Sequence, residues 1–328
     1  MVGFFFVVTF SFTSIVFFMK DKLPIVTIMG PTGVGKTDLA ISLNKALPSE
    51  IISVDSVQVY KKMNIGSGKP SKSILKKYPH ALVDIIEPWE NYSLALFIED
   101  SKREIQNCRG SNQIPLLVGG TKLYLKSLLS GISRMPKADL KVREKIMCEA
   151  QDIGWPLLHE RLTRIDPKSA SKIHPNDIHR IQRALEVYEI SSKTMTELKK
   201  EHKSNNLLNE SKVLQFAIKP ESREILRQEI RERFLKMLDF GLVKEVETIL
   251  TLEEMDTDKV SMKSVGYRQV CDYLENKISY EEMIYRAVNA TRQLAKRQMT
   301  WLRSWQNVIW VTQDIDDSAE KIKRRIEV

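Results

Sequence analysis

Gly30-Pro31-Thr32-Gly33-Val34-Gly35-Lys36-Thr37 stands between an apolar run, Pro24-Ile25-Val26-Thr27-Ile28-Met29, and a stretch of helical spacing, Asp38-Leu39-Ala40-Ile41-Ser42-Leu43. Strand, glycine loop, helix is the context in which GxxxxGK[ST] is a phosphate-binding loop rather than an ordinary glycine-rich turn. The glycines let consecutive backbone N–H groups turn inward onto an anion, and the helix N-terminus adds partial positive charge. Lys36 can reach terminal phosphate oxygens, and the Thr37 hydroxyl can ligate Mg²⁺. The octapeptide predicts a site for a di- or triphosphate.

Outward from the loop, apolar runs alternate with helical patterns through about residue 130, which predicts a parallel sheet covered by helices. Glu50-Ile51-Ile52-Ser53-Val54 ends in Asp55-Ser56, and a third strand is expected over 81–86, followed by a helix over 94–108. Ile114-Pro115-Leu116-Leu117-Val118 runs into Gly119-Gly120-Thr121 and another helix. Ligands of such sheets collect beyond the carboxyl ends of the strands, so Asp55, Thr121 and the glycine loop should converge on one crevice. From about 137 to 203 the pattern is wholly helical, charged and without a strand-like run. A strand over 213–218, a long helix from Ser222 broken at Gly241, a last helix over 280–304 and a short edge strand over 308–311 follow. The expected fold class is α/β: a P-loop NTPase-like parallel sheet flanked by helices, formed by 20–136 and 204–328, with 137–203 as an inserted all-helical subdomain.

With 328 residues, 42% hydrophobic and 28% charged, the chain is globular rather than disordered. A net charge of +9 suggests a polyanionic partner, though solubility alone also accounts for a basic surface. Cys108, Cys148 and Cys271 are odd in number and form no CxxC, as expected of reduced thiols in a cytoplasmic protein. Residues 1–19 are an uncharged apolar extension without a basic leader or obvious cleavage site. It reads as a start placed too early, with Met19 the true start, or else as an anchor or targeting segment; no stable membrane partner is expected.

Asp55 either caps the following turn or does chemistry; the polar, glycine-rich run beside it, Ile65-Gly66-Ser67-Gly68-Lys69-Pro70, favours chemistry. A P-loop ATPase is expected to hold Mg²⁺ through an acid ending an apolar strand. Here the best strand ends in Gly119-Gly120-Thr121, which argues against ATP hydrolysis. Between Met283 and Gln313 there is no acid, whereas Arg286, Arg292, Lys296, Arg297 and Arg303 are interleaved with Trp301, Trp305 and Trp310. This suits RNA phosphates and base stacking, or equally a solvated basic face with the tryptophans packed inward. Arg180 and Arg183 share a helix face, with Ile181, Leu185 and Tyr188 as its buried stripe.

Seven segments in order resemble the tRNA dimethylallyltransferase (IPP transferase) family of bacterial or organellar type, over roughly residues 24–310. They are GPTGVGKT, VDSVQVYKKMNIGSGKP, HALVDIIEPWENYS, PLLVGGTKLY, IHPNDIHRIQRALEV, SVGYRQ and TRQLAKRQMTWLR. The resemblance implies transfer of the five-carbon group of dimethylallyl diphosphate to N6 of adenosine 37, beside the tRNA anticodon, with release of diphosphate. Asp55 would take the N6 proton. Lys36, Thr37 with Mg²⁺ as cofactor, and by position Arg233 would stabilise the leaving diphosphate; Gly30, Pro31, Thr32, Gly33, Val34, Gly35, Lys36 and Thr37 would bind it. The tRNA contacts implied are Asp55, Ser56, Val57, Gln58, Thr121, Arg143, His179, Arg180, Ile181, Gln182, Arg183, Lys263, Ser264, Val265, Gly266, Tyr267 and Arg268. The target base is expected to be flipped out, and the enzyme to act as a monomer. Alternatives are a P-loop nucleoside or RNA kinase, and an adenylate isopentenyltransferase acting on free nucleotides; the basic insertion and terminal helix favour tRNA. Departures from the family pattern include Gly33-Val34 for Ala-Ser, Ser67-Gly68 for Thr-Ala, Lys122, Lys263 for Arg, and Gln269.

Overall fold

The computed structural model describes residues 23–131, 133, 135–201 and 206–327; the 1–19 extension lies outside them. Among the described residues six strands form one sheet: β1 (Ile25–Met29), β2 (Ser49–Val54), β3 (His80–Ala81), β4 (Ile114–Gly119), β5 (Val213–Ile218) and β6 (Ile309–Val311). Every pairing is parallel, in the order β3-β2-β4-β1-β5-β6. β1 and β4 are buried along their whole length, so both read as continuous apolar runs rather than alternating ones.

The helices of eight or more residues among the described residues are α1 (Lys36–Ala46), α2 (Leu94–Gly110), α3 (Lys122–Ser130), α4 (Leu140–Ile153), α5 (Trp155–Ile165), α6 (Ile178–Ser191), α7 (Arg223–Asp239), α8 (Leu242–Leu250), α9 (Tyr267–Leu274), α10 (Tyr280–Arg303) and α11 (Ile315–Glu327). Ser93, Ser222 and Ser279 cap α2, α7 and α10 through side-chain oxygens, and Asp139 and Asp177 do the same for α4 and α6. α7 and α8 are separated at Gly241, whose φ is 92°.

Two compact units result. One comprises the sheet and its helices. In it Val26, Ile28, Leu39, Leu43, Leu116 and Phe216 form one core, and Phe234, Val246, Met262, Tyr267 and Met283 form a second among α7 to α10. The other spans 129–207 and packs α4, α5 and α6 around Ile146, Leu158, Leu162, Ile181 and Leu185. No helix of the described residues is long and apolar enough to cross a membrane.

Two expectations need correction. The third run is a strand only at His80–Ala81; Leu82 and Asp84 then take φ of 63° and 56° and turn the chain away from the sheet. Ile85 and Ile86 pack instead against the second core, which is what made the run apolar. The chain also does not finish at the edge strand: α11 follows, burying Ile322 and packing on α1. Its apolar spacing, Ile315, Ala319, Ile322, Ile326, is helical and legible in hindsight.

Candidate active site

Val54, Gly119 and Met29 lie side by side in register on β2, β4 and β1. The residues that follow them, Asp55, Gly120-Thr121 and the loop from Gly30, therefore leave three neighbouring strands at one level. α1 opens on Gly35 in the left-handed region (φ 85°) and, unlike its capped counterparts, receives no side-chain cap. Its first N–H groups are free for an anion, as a phosphate loop requires. Lys36 donates to the Pro31 carbonyl at 2.7 Å. Desolvation brings its pKa down to about 8, with Asp55 pulling it up and Arg233 pushing it down. Arg233, from α7, reaches the Thr32 hydroxyl at 3.4 Å. Its pKa is also lowered by burial, against the pull of Asp55 and Asp38. Thr37 is half-buried, and its hydroxyl has no protein partner among the described residues. Mg²⁺ is usually held by one or two protein oxygens together with substrate phosphates, and an unengaged hydroxyl beside an anion cradle fits that habit.

One carboxylate oxygen of Asp55 accepts from Val57 N at 2.8 Å and Gln58 N at 3.2 Å; the other receives nothing from the protein among the described residues. The residue thus caps its turn and keeps an oxygen for chemistry. Its charge acts on Lys36, Arg233, Lys69 and Tyr124. Ser56 is exposed and Val57 half-buried. Gln58 accepts from Ser53 Oγ at 3.2 Å and donates to the Gly68 carbonyl at 3.5 Å. Thr121 is half-buried at the mouth of α3.

The glycine-rich stretch after Asp55 is held from the far side. Glu245 accepts from the backbone N–H groups of Asn64 (2.9 Å), Ile65 (2.8 Å) and Gly66 (3.2 Å) and from Tyr267 Oη (2.7 Å). Tyr267 Oη accepts from Ser67 N at 3.2 Å. Lys69, its side chain 1% exposed, donates to the Tyr60 carbonyl and to Asp84. Gly68 matters here: a Cβ would stand 1.8 Å from the Arg233 guanidinium. Tyr267, expected among RNA contacts, is fully buried and its hydroxyl is engaged, so it supports the loop instead. Around it Lys263 and Arg268 are exposed, Ser264 and Val265 half-buried, and Gly266 buried.

In the insertion, Glu186 is wholly buried. It accepts from Arg143 Nε (2.8 Å), Arg183 Nη1 (2.6 Å) and Asp139 N (2.9 Å). Burial alone would raise its pKa; these hydrogen bonds outweigh that and hold it below the usual glutamate value. Gln182 donates to the Arg143 carbonyl at 3.2 Å. Ile181 is a core residue and offers RNA no side-chain surface, a correction that follows from its place in the buried stripe. His179 and Arg180 are exposed, and among the described residues Arg180 is ion-paired only to Asp177, at 3.3 Å.

A family profile described as IPP transferase matches residues 58–305, and one described as Isopentenyl transferase matches residues 23–84. The chain belongs to the IPP transferase family. It is similar to the tRNA isopentenylpyrophosphate transferase of Bacillus halodurans, at 31% identity over 93% of this chain and 97% of that one, with a TM-score of 0.68. The tRNA Δ(2)-isopentenylpyrophosphate transferase of Staphylococcus epidermidis gives 30%, 93%, 99% and 0.66 by the same measures. A eukaryotic dimethylallyltransferase acting on tRNA gives 25%, 92%, 78% and 0.77.

Between α7 and α10 this IPP transferase carries a groove of about 530 Å³. Leu226, Ile230, Ala295 and Met299 line it together with Arg223, Arg227, Arg292, Lys296 and Arg303. None of these cations is in an ion pair among the described residues, and Arg292 Nε is a buried donor with no partner there. The tryptophans behave differently. Trp301 is buried, ring to ring with Trp305 at 5.0 Å, and Trp305 donates to Gln215 at 2.7 Å. Both pack inward, so the stacking half of the RNA reading is lost at these two. Lys69, Glu245 and Gln298 escaped the sequence reading. Lys69 and Gln298 lie inside motif segments and Glu245 outside them, and nothing in the sequence shows what any of them touches.

Proposed function

We propose that this IPP transferase moves the dimethylallyl group of dimethylallyl diphosphate onto N6 of adenosine 37 in tRNA. The observation that supports it is an aspartate oxygen left free beside a phosphate loop walled by Lys36 and Arg233. N6 is a weak nucleophile because its lone pair is delocalised into the purine. As N6 attacks the allylic carbon, Asp55 accepts its proton, the C–O bond breaks, and diphosphate leaves with the bonding pair. Loop N–H groups, Lys36 and Arg233 face the charge that develops on the leaving oxygens. Mg²⁺, held by Thr37 with the diphosphate, would add further charge neutralisation. Thr121 and the 55–58 turn flank the flipped base.

On the insertion Arg180, and on the core unit Lys263, Arg268 and the Arg223, Arg227, Lys296 and Arg303 of the α7–α10 groove, each offer exposed positive charge to RNA, with His179 as an exposed hydrogen-bonding side chain. Arg143 and Arg183 serve RNA through their solvent-facing edges, since Glu186 holds their inner faces. The chain acts as a monomer in a reducing, cytoplasmic setting. Burial pushes the thiols of Cys108 and Cys271 up to about 12 and about 11, so both stay protonated.

Labelled dimethylallyl diphosphate, Mg²⁺ and an anticodon stem-loop containing adenosine 37 test the reading, with free AMP as the competing acceptor. Transfer to the stem-loop is expected, and Asp55→Ala should lower the rate on the order of 10²–10⁴-fold while RNA still binds. Transfer to AMP alone, or an Asp55→Ala variant at full rate, would overturn it.

A further inference from the structure

We infer that Gln298 is a positioning residue of the transfer reaction, locking the phosphate loop to the turn after β4 and so fixing where the diphosphate lies relative to Asp55 and Thr121. The residue belongs to α10 and is 8% exposed. Both ends of its carboxamide are used: Oε1 accepts from Thr32 N at 2.8 Å, and Nε2 donates to the Gly120 carbonyl at 3.0 Å. The pairing of β1 with β4 ends at Met29 and Gly119. Gln298 supplies one more rung beyond it, tying together two turns that the sheet itself no longer joins.

The consequences spread in both directions. On the phosphate side, Thr32 N–H points at Gln298 and is withdrawn from the anion, so the cradle is built from the amides after it. The Thr32 hydroxyl in turn receives Arg233, so Gln298 holds the residue that holds the arginine. On the acceptor side, Gly120 directly precedes Thr121. Only glycine fits there: a Cβ would stand 2.4 Å from Gln298 Nε2 and 3.0 Å from the Gly30 carbonyl. A neutral amide suits the place, because it donates and accepts at once, whereas a carboxylate would repel the diphosphate and could not donate to Gly120.

This inference rests on reading the loop as a diphosphate cradle, and the test separates the two. Gln298→Met keeps length and apolar bulk but removes both hydrogen bonds; Gly120→Ala drives the same amide away without altering residue 298. Each is compared with the unaltered chain for inorganic pyrophosphate affinity, KM and kcat with dimethylallyl diphosphate, stem-loop affinity, and melting temperature. Both variants should weaken pyrophosphate binding and raise KM about ten-fold, with stem-loop affinity within about two-fold. Combining them should add little, since they break one device. Unchanged pyrophosphate affinity in both variants, or stem-loop affinity and melting temperature falling in step with it, overturns the role of Gln298. An unaltered chain that binds no pyrophosphate overturns the cradle reading beneath it.

Discussion

In the core unit, Lys36 and Arg233 are drawn out of water beside the phosphate loop, and the nearest groups they bond are a carbonyl and a hydroxyl. In the insertion, Arg143 and Arg183 close on the buried carboxylate of Glu186. All four are basic residues singled out by the family resemblance, yet they do different work. A desolvated cation left without a contacting carboxylate is strained in the free protein and relieved by an anionic substrate, so its burial is invested in binding. A cation already neutralised by a buried acid holds its own unit together and has less to offer a ligand.

The contrast can be broken most directly at Lys36. Lys36→Met should lower kcat/KM on the order of 10²–10³-fold in the transfer assay, with little change in melting temperature. The opposite pattern is expected for Glu186→Gln. Chemical denaturation followed by hydrogen exchange in 129–207 should show a loss of about 2–3 kcal/mol, toward the low end for a buried pair because both arginines reach solvent. Pyrophosphate affinity should stay unchanged. If Glu186→Gln altered catalysis without loosening the insertion, the distinction drawn here would fail.

Titration offers a milder probe. A lysine pKa depressed to about 8 means the ammonium is lost earlier than usual. Pyrophosphate affinity should therefore fall by up to about ten-fold per pH unit above pH 8, and this step should vanish in Lys36→Met. Glu186 works at the other end: its lowered pKa stabilises the insertion above the ordinary glutamate range. That contribution is lost as pH falls through the depressed value. The smallest effect belongs to Arg180, exposed and loosely paired. Arg180→Ala should leave stability within about 0.5 kcal/mol and reduce the salt slope of RNA binding by about one.

How much of this was legible follows from distance along the chain. The β1–loop–α1 unit is local, and its apolar run, glycines and lysine report one another within fifteen residues. Asp55 and Thr121 were placed correctly beyond strand ends by the general habit of parallel sheets. Motif membership misled where it could not tell faces apart: Tyr267 and Ile181 sit inside recognisable segments but point into cores, and for Ile181 the apolar stripe already said so. The clamp of Glu245 on residues 64–66 and the tie of Gln298 to Thr32 were invisible. They join positions about 180 and 266 residues apart, and no local pattern encodes such a meeting.

Strand order has a consequence for biosynthesis. β1, which carries the phosphate loop, gains its second neighbour only when residues 213–218 emerge, long after 114–119 have paired with its other side. At about 5–20 residues per second, the intervening stretch keeps one flank of an apolar strand open for roughly 5–20 s. During that interval the nascent chain offers a sticky template to its neighbours, and a chaperone would be its natural shield.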